Sequence, residues 1–146
     1  TMQAKWETAL SWGFDAIELR GQGDHALRRR LPDLLAAQRD GVVMPTVCVE
    51  MGHFIGDFDP ARRADALANM ATQVEVIGAL GGIGAMTPAS WGMFSRRLPP
   101  FTPPRSEDED REVLLEALSA LGEVARRAGT RIPLEPLNRY EDHMVN

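Results

Sequence analysis

The sequence predicts an α/β fold built on a parallel sheet. Two observations carry this. A unit made of an amphipathic helix, a glycine stop and a short apolar strand occurs four times, and helices and strands alternate at the length of a crossover connection. With right-handed crossovers, such a sheet is either open and doubly wound or closed into a barrel, and both bury the strands on two sides. No G-x-G-x-x-G lies between a strand and the following helix, so the dinucleotide fingerprint of the open sheet is missing. Gly81-Gly82-Ile83-Gly84 precedes a strand and is read as a helix stop with a tight turn.

Each element follows from local signals. Trp6, Ala9 and Leu10 mark a first helical face that ends at Gly13, and Ala16-Ile17-Glu18-Leu19 follows as a strand. Pro32 suits the first turn of a second helix through Leu34, Leu35 and Ala36, which Gly41 stops. The run from Val42 to Val49 reads as a strand that bends at Met44-Pro45. Asp59 caps the third helix and Pro60 takes its first position, while Leu67, Met70, Ala71, Val74 and Ile77 form one stripe. After Gly81-Gly82 comes a strand over Ile83 to Met86, then a long loop from Thr87 to Pro104 of the kind that is functional or disordered. Ser106 and Glu109 have capping-box spacing for a fourth helix, whose buried face is Val113, Leu114, Ala117, Leu118, Leu121 and Val124 and which ends at Gly129. The last strand is expected over Arg131 to Leu137, running into the polar stretch Asn138 to Asn146.

Composition bounds the function. The chain has 146 residues, 44% of them hydrophobic and 25% charged, which is enough for one domain with a sizeable core. A net charge of -5 leaves no broad basic surface for a phosphate backbone, so no nucleic-acid partner is expected. The Arg28-Arg29-Arg30 run has no aromatic residues interleaved and is read as a solvated helix face. Cys48 is the single cysteine, set in an apolar run, so it is read as buried and inert in a reducing, cytoplasmic setting. No run reaches the length of about 18 apolar residues that a membrane span needs, and no membrane association is expected.

In a parallel barrel the active site lies at the carboxyl ends of the strands. Glu135 ends an apolar strand between two prolines, where a carboxylate must either pair, with Arg131 or Arg139, or bind a cation. Glu18 interrupts the first strand's apolar run and is a candidate for the pocket wall. His53 has no partner at metal-ligand spacing; a loop or core histidine is the ordinary reading and a substrate contact the alternative. Trp91, in the long loop, either stacks on a ring of the substrate or pins the loop.

Leu134-Glu135-Pro136-Leu137-Asn138-Arg139-Tyr140-Glu141 resembles the strand-end motif of the xylose isomerase-like barrel superfamily, with the nearest likeness to the ketose 3-epimerases. Gly13-Phe14-Asp15-Ala16-Ile17-Glu18-Leu19 and Asp59-Pro60 with Arg62 or Arg63 resemble that family's second strand and the opening of its third helix. The resemblance implies a (β/α)8 TIM barrel, of which residues 1–146 form a single partial domain, about strands two to five. It implies that Glu135 is a ligand of a divalent metal, Mn²⁺, Mg²⁺ or Co²⁺ in preference to zinc, and one of two catalytic acid/bases. It implies that Glu141 binds the substrate, a small sugar. Asp142 and His143 match the start of the next helix, where Asp142 would cap it, and neither is assigned to metal. The expected activity is epimerisation or isomerisation of a ketose or ketose phosphate through an enediolate. A polyol dehydratase, an endonuclease-type hydrolase on the same fold and a non-catalytic assembly module are the alternatives. The further ligands of the family come from later strands, so the chain is expected to be a piece of a longer enzyme, or a half barrel that completes itself as a homo-oligomer.

Overall fold

The computed structural model describes residues 1–91, 103–138 and 140–146. Eight elements alternate as expected: α1 (Met2–Ser11), β1 (Leu19–Gln22), α2 (Ala26–Arg39), β2 (Thr46–Glu50), α3 (Pro60–Ala79), β3 (Gly84–Pro88), α4 (Glu107–Ala128) and β4 (Leu134–Glu135). The strands pair in parallel in the order β1-β2-β3-β4.

The helices start where local chemistry satisfies their first N–H groups, with one exception. Asp59 accepts from the N–H of Ala61 at 2.7 Å and of Arg62 at 3.3 Å, and Pro60 opens α3. Ser106 Oγ accepts from Glu109 N at 3.3 Å while Glu109 accepts from Ser106 N at 2.7 Å, closing a capping box before α4. Ser106→Ala is therefore expected to cost about 1 kcal/mol, read as a lower urea midpoint with an unchanged slope. The exception is α2, which begins at Ala26 and carries Pro32 inside it, not in its first turn. Its start is held from outside: His25 N donates to Asn69 Oδ1 at 2.9 Å and its ring lies 2.6 Å from Thr72 Oγ1, both on α3. Within the helix Pro32 has no N–H to donate to the Arg28 carbonyl. Within α2, Arg28 pairs with Glu75 and Arg29 donates to the Asp24 carbonyl at the surface, as a solvated face should.

All four strands differ from their expected spans. The first is Leu19–Gln22 in place of 16–19, and the second begins only after Pro45, which has no N–H for the ladder. The third ends later than expected, at Pro88. The fourth shrinks to Leu134–Glu135, with an isolated bridge between Gly84 and Arg131, because Pro133 and Pro136 bracket it without donors. Of the long loop expected over 87–104, residues 92–102 lie outside the described residues.

Alternation sorts the strands into two faces. Leu19, Val47, Val49 and Ala85 are buried in one cluster with Leu34, Met70, Val74, Ile77, Ala117 and Leu121 of the helices. Gly21 belongs to this face because Gln73 of α3 donates to its carbonyl at 2.8 Å, and a Cβ there would stand 2.7 Å from Val47 Cγ1. The other face carries Glu18, Arg20 and Gln22, then Cys48 and Glu50, then Met86 and Pro88, then Glu135. Gln22 pairs with Glu50 and Pro88 with Glu135, so these four form the tier at the carboxyl end of the sheet.

Candidate active site

That carboxyl-end tier opens into a cavity of about 290 Å³ walled by Glu50, Met51, Phe54, Trp91, Glu135 and Leu137, with Val49 and Pro88 behind them. The loops after three successive strands contribute one wall each. Phe54 follows β2 and is buried; Trp91 follows β3, is half exposed, and meets Phe54 edge-on with ring centroids 6.2 Å apart. Leu137 follows β4.

Glu135 is half-buried, and among the described residues it makes no hydrogen bond or ion pair. The salt bridge to Arg131 that would give it a purely structural role is not formed, and Arg139 lies outside the described residues. Its oxygens therefore face the cavity with lone pairs to spare. Glu50, two strands away in the same tier, was not singled out by sequence reading. Its side chain takes a two-pronged hydrogen bond from Arg20, which holds the Glu50 carboxyl below its ordinary range and raises the Arg20 guanidinium. The signal for Glu50 was present, a carboxylate at the end of an alternating strand, but its partner Arg20 lay beyond the strand that the sequence suggested.

The remaining candidates separate. Glu18 precedes β1 and accepts from Thr46 Oγ1 at 2.8 Å, at the opening of β2. It thus sits at the amino end of the strands and does not line the cavity, because β1 starts three residues later than expected. His53 is half-buried and walls a separate polar hollow of about 440 Å³ with Gln22, Asp24, Arg29 and Asp65, its Nδ1 enclosed without a partner among the described residues. Glu141 accepts from Asn138 Nδ2 on the same turn and is not among the cavity walls. Cys48 is half-buried on the cavity side; burial, then the charges of Glu18, Glu135 and Glu50, push its thiol up, which keeps it unreactive.

Among the described residues, no group of three or more His, Cys, Asp or Glu converges on a point where a cation would sit. Glu135 fits one ligand position of a hard divalent cation, and Glu50 is occupied by Arg20. A larger groove of about 590 Å³ runs along α1 between Ala9, Trp12, Phe14 and Ile17; Thr1, Lys5 and Thr8 also line it, and among the described residues it holds no carboxylate or histidine side chain.

Behind the cavity the three loops are joined by a buried polar network. Ser90 and Asp142, fully enclosed, hydrogen-bond one another. His143 lies 3.2 Å from Ser90 Oγ and 3.0 Å from Asp110, which pairs with Arg105 at 2.7 Å. Arg105 also donates to the Gly56 and Asp57 carbonyls and stacks on Phe58. Asp142 and His143 are both held in this network, and Asp142 caps no helix among the described residues.

Burial pushes His143 below the ordinary histidine value, against the opposing pull of Asp110 and Asp142. The native state therefore resists protonation more than the unfolded chain does. The stability concerned is present above the unfolded pKa of about 6.5 and is lost as pH falls through the lower folded value. Thermal midpoints of the full-length protein should drop as pH is lowered below 6.5, and His143→Gln should flatten that slope.

No helix among the described residues is long and apolar enough to cross a membrane. A family model described as the xylose isomerase-like TIM barrel matches residues 6–146. The 3-dehydro-D-guloside 4-epimerase of Escherichia coli strain K12 is 42% identical over 143 residues, which are 97% of this chain and 53% of that protein. The crystal structure of 3-keto-D-glucoside 4-epimerase from E. coli in its apo form superposes with a TM-score of 0.89 at 40% identity, covering 99% of this chain and 54% of that one. D-psicose 3-epimerase from Clostridium cellulolyticum H10, solved with D-tagatose, shares the fold with a TM-score of 0.73 at 21% identity over 99% of this chain and 50% of its own. The chain spans about half the length of the relatives it matches.

Proposed function

Because the chain belongs to the xylose isomerase-like TIM barrel family, we propose that the protein is a sugar epimerase that inverts a carbon next to a ketone. The observation that carries this reading is Glu135, an unpaired carboxylate on the carboxyl-end wall of a cavity whose other walls are aromatic and aliphatic. A polar base with an apolar surround is what abstraction of a weakly acidic C–H needs: the base is held in place, and water is kept from the carbanion. The relative's name gives the same arrangement of groups, since a 3-dehydro sugar has its ketone at C3 and a 4-epimerase inverts the adjacent carbon.

In this mechanism Glu135 takes the proton from the carbon beside the ketone, and the C–H electron pair becomes the double bond of an enediolate. A second acid then delivers a proton to the opposite face, so the sugar leaves inverted and otherwise unchanged. Glu135 would also be one oxygen ligand of a hard divalent cation, Mn²⁺, Mg²⁺ or Co²⁺, which would supply positive charge where negative charge develops. The second acid and the other ligands are assigned to the half of the barrel that the relatives carry beyond the matched stretch. Trp91 stacks against the apolar face of the sugar, and Glu141, on the turn after β4, accepts from a substrate hydroxyl.

The test is to incubate the full-length protein and Mn²⁺ with 3-keto-glycosides, free ketoses and a keto-inositol, and to follow the products by carbon NMR. An epimer from a ketone-bearing sugar supports the reading. An unsaturated product from the keto-inositol would make the protein a dehydratase, and no product from any of them would remove the epimerase assignment.

A further inference from the structure

Two of the cavity walls, Trp91 and Leu137, stand on loops that no regular structure holds. Trp91 comes three residues after Pro88 of β3, and Leu137 two residues after Glu135 of β4. Both loops meet at one carboxylate. Asp142 accepts from Ser90 Oγ at 2.5 Å, from Ser90 N at 3.2 Å and from Met144 N at 2.8 Å, so both of its oxygens are used. Ser90 is the residue before Trp91. On the other side, Asp142 N donates to Asn138 O at 3.1 Å and Leu137 N to Val145 O at 3.1 Å, so the carboxylate sits inside a closed loop whose first residue is the cavity wall.

The loop after β2 is tied to the same point. Gly56 N donates to Ala89 O at 2.7 Å, and a Cβ on Gly56 would collide with that oxygen and with Met144 Sδ, so only glycine lets the three loops approach this closely. We infer that Asp142 is a positioning residue, which clamps the loops after β3 and β4 so that Trp91 and Leu137 face the sugar bound at Glu135. The inference rests on the sugar-epimerase reading given above for the identity of the ligand, but not for the placement of the walls.

A purely stabilising contact would not need this residue. Burying a carboxylate carries a desolvation cost that an apolar pair of similar shape avoids. What the carboxylate provides is two acceptor oxygens that can take three donors from two loops at once, in a fixed geometry. An amide offers one acceptor oxygen, and its NH₂ group would face the N–H of Ser90. Asp142→Asn therefore keeps the volume and loses the contact with Ser90 N, which loosens the clamp on the Ser90 side.

The experiment uses the full-length protein labelled with 5-fluorotryptophan, in which the resonances of Trp91 and Trp6 are identified by their loss in Trp91→Phe and Trp6→Phe. Asp142→Asn and Ser90→Ala should each shift or broaden the Trp91 resonance and leave that of Trp6, in the core beneath α1, in place. In turnover of a 3-keto-glucoside both variants should lower kcat/KM by about 10²-fold, mainly by raising KM, because the walls that hold the sugar are displaced. An unmoved Trp91 resonance, or the Trp91 and Trp6 resonances moving together, would overturn the inference, as would an unchanged KM. Full-length protein without substitutions that turns over no sugar overturns the epimerase reading alone, and the clamp is then decided by the Trp91 resonance.

Discussion

Replacing Glu135 by glutamine in the full-length protein should lower kcat for epimerisation by about 10²- to 10⁴-fold, the range spanned by loss of a positioned general base. The substitution keeps the shape of the side chain and removes only its ability to take a proton and its charge. Because Glu135 makes no hydrogen bond or ion pair among the described residues, nothing in the fold depends on the charge. The thermal midpoint should stay near that of the parent or rise slightly, since a half-buried carboxylate without a partner is a cost to folding. Mn²⁺ affinity, followed by electron paramagnetic resonance, should fall with the rate, since the same oxygens serve both roles in the proposed mechanism. A structural glutamate would give the reverse pattern, with activity kept and stability lost.

Ile77→Ala should produce the largest loss of stability, about 2–5 kcal/mol by urea unfolding. Ile77 is completely buried on the stripe of α3 that faces the sheet. Its Cδ1 already lies 2.6 Å from where a Cβ on Gly82 would stand, at the turn that leads into β3. The space around it is bounded by main chain, including the Pro45 carbonyl, which is 2.7 Å from that same point, so the surroundings have little freedom to collapse into the cavity left by the missing methyl groups. A loss of this size is a sizeable share of the roughly 5–15 kcal/mol that holds a domain together. It should leave the pKa-dependent and metal-dependent behaviour of the folded fraction unchanged, which separates it from Glu135→Gln.

Elements whose signals are local were legible in the sequence. The caps at Asp59 and Ser106 and the stripe Met70, Val74 and Ile77 each depend on residues within a few positions, and the structure has them where the pattern put them. Elements set by distant partners were not. The start of α2 depends on Asn69 and Thr72, more than forty residues away, and no residue near His25 announces it. The edges of the second and fourth strands shifted because proline removes ladder donors at 45, 133 and 136, an effect whose outcome depends on which neighbour each strand faces.

The candidate site was legible in the same uneven way. Glu135 stood out because a carboxylate between prolines at a strand end has few ordinary explanations, and Trp91 stood out by composition. Glu50 did not, since its meaning comes from pairing beside Gln22 and from the reach of Arg20 across the sheet. Glu18 was misplaced by the same three-residue shift that hid Arg20. Ser90 and Asp142 meet across fifty-two residues of sequence, and nothing in either segment points to the other.

The most direct test is turnover of a 3-keto-glucoside by the full-length protein in D₂O, with the carbon beside the ketone followed by proton NMR. The account predicts deuterium at that carbon alone, in the epimer and in recovered substrate, and none in the presence of Glu135→Gln. An epimer formed without deuterium, or exchange that survives Glu135→Gln, would contradict it.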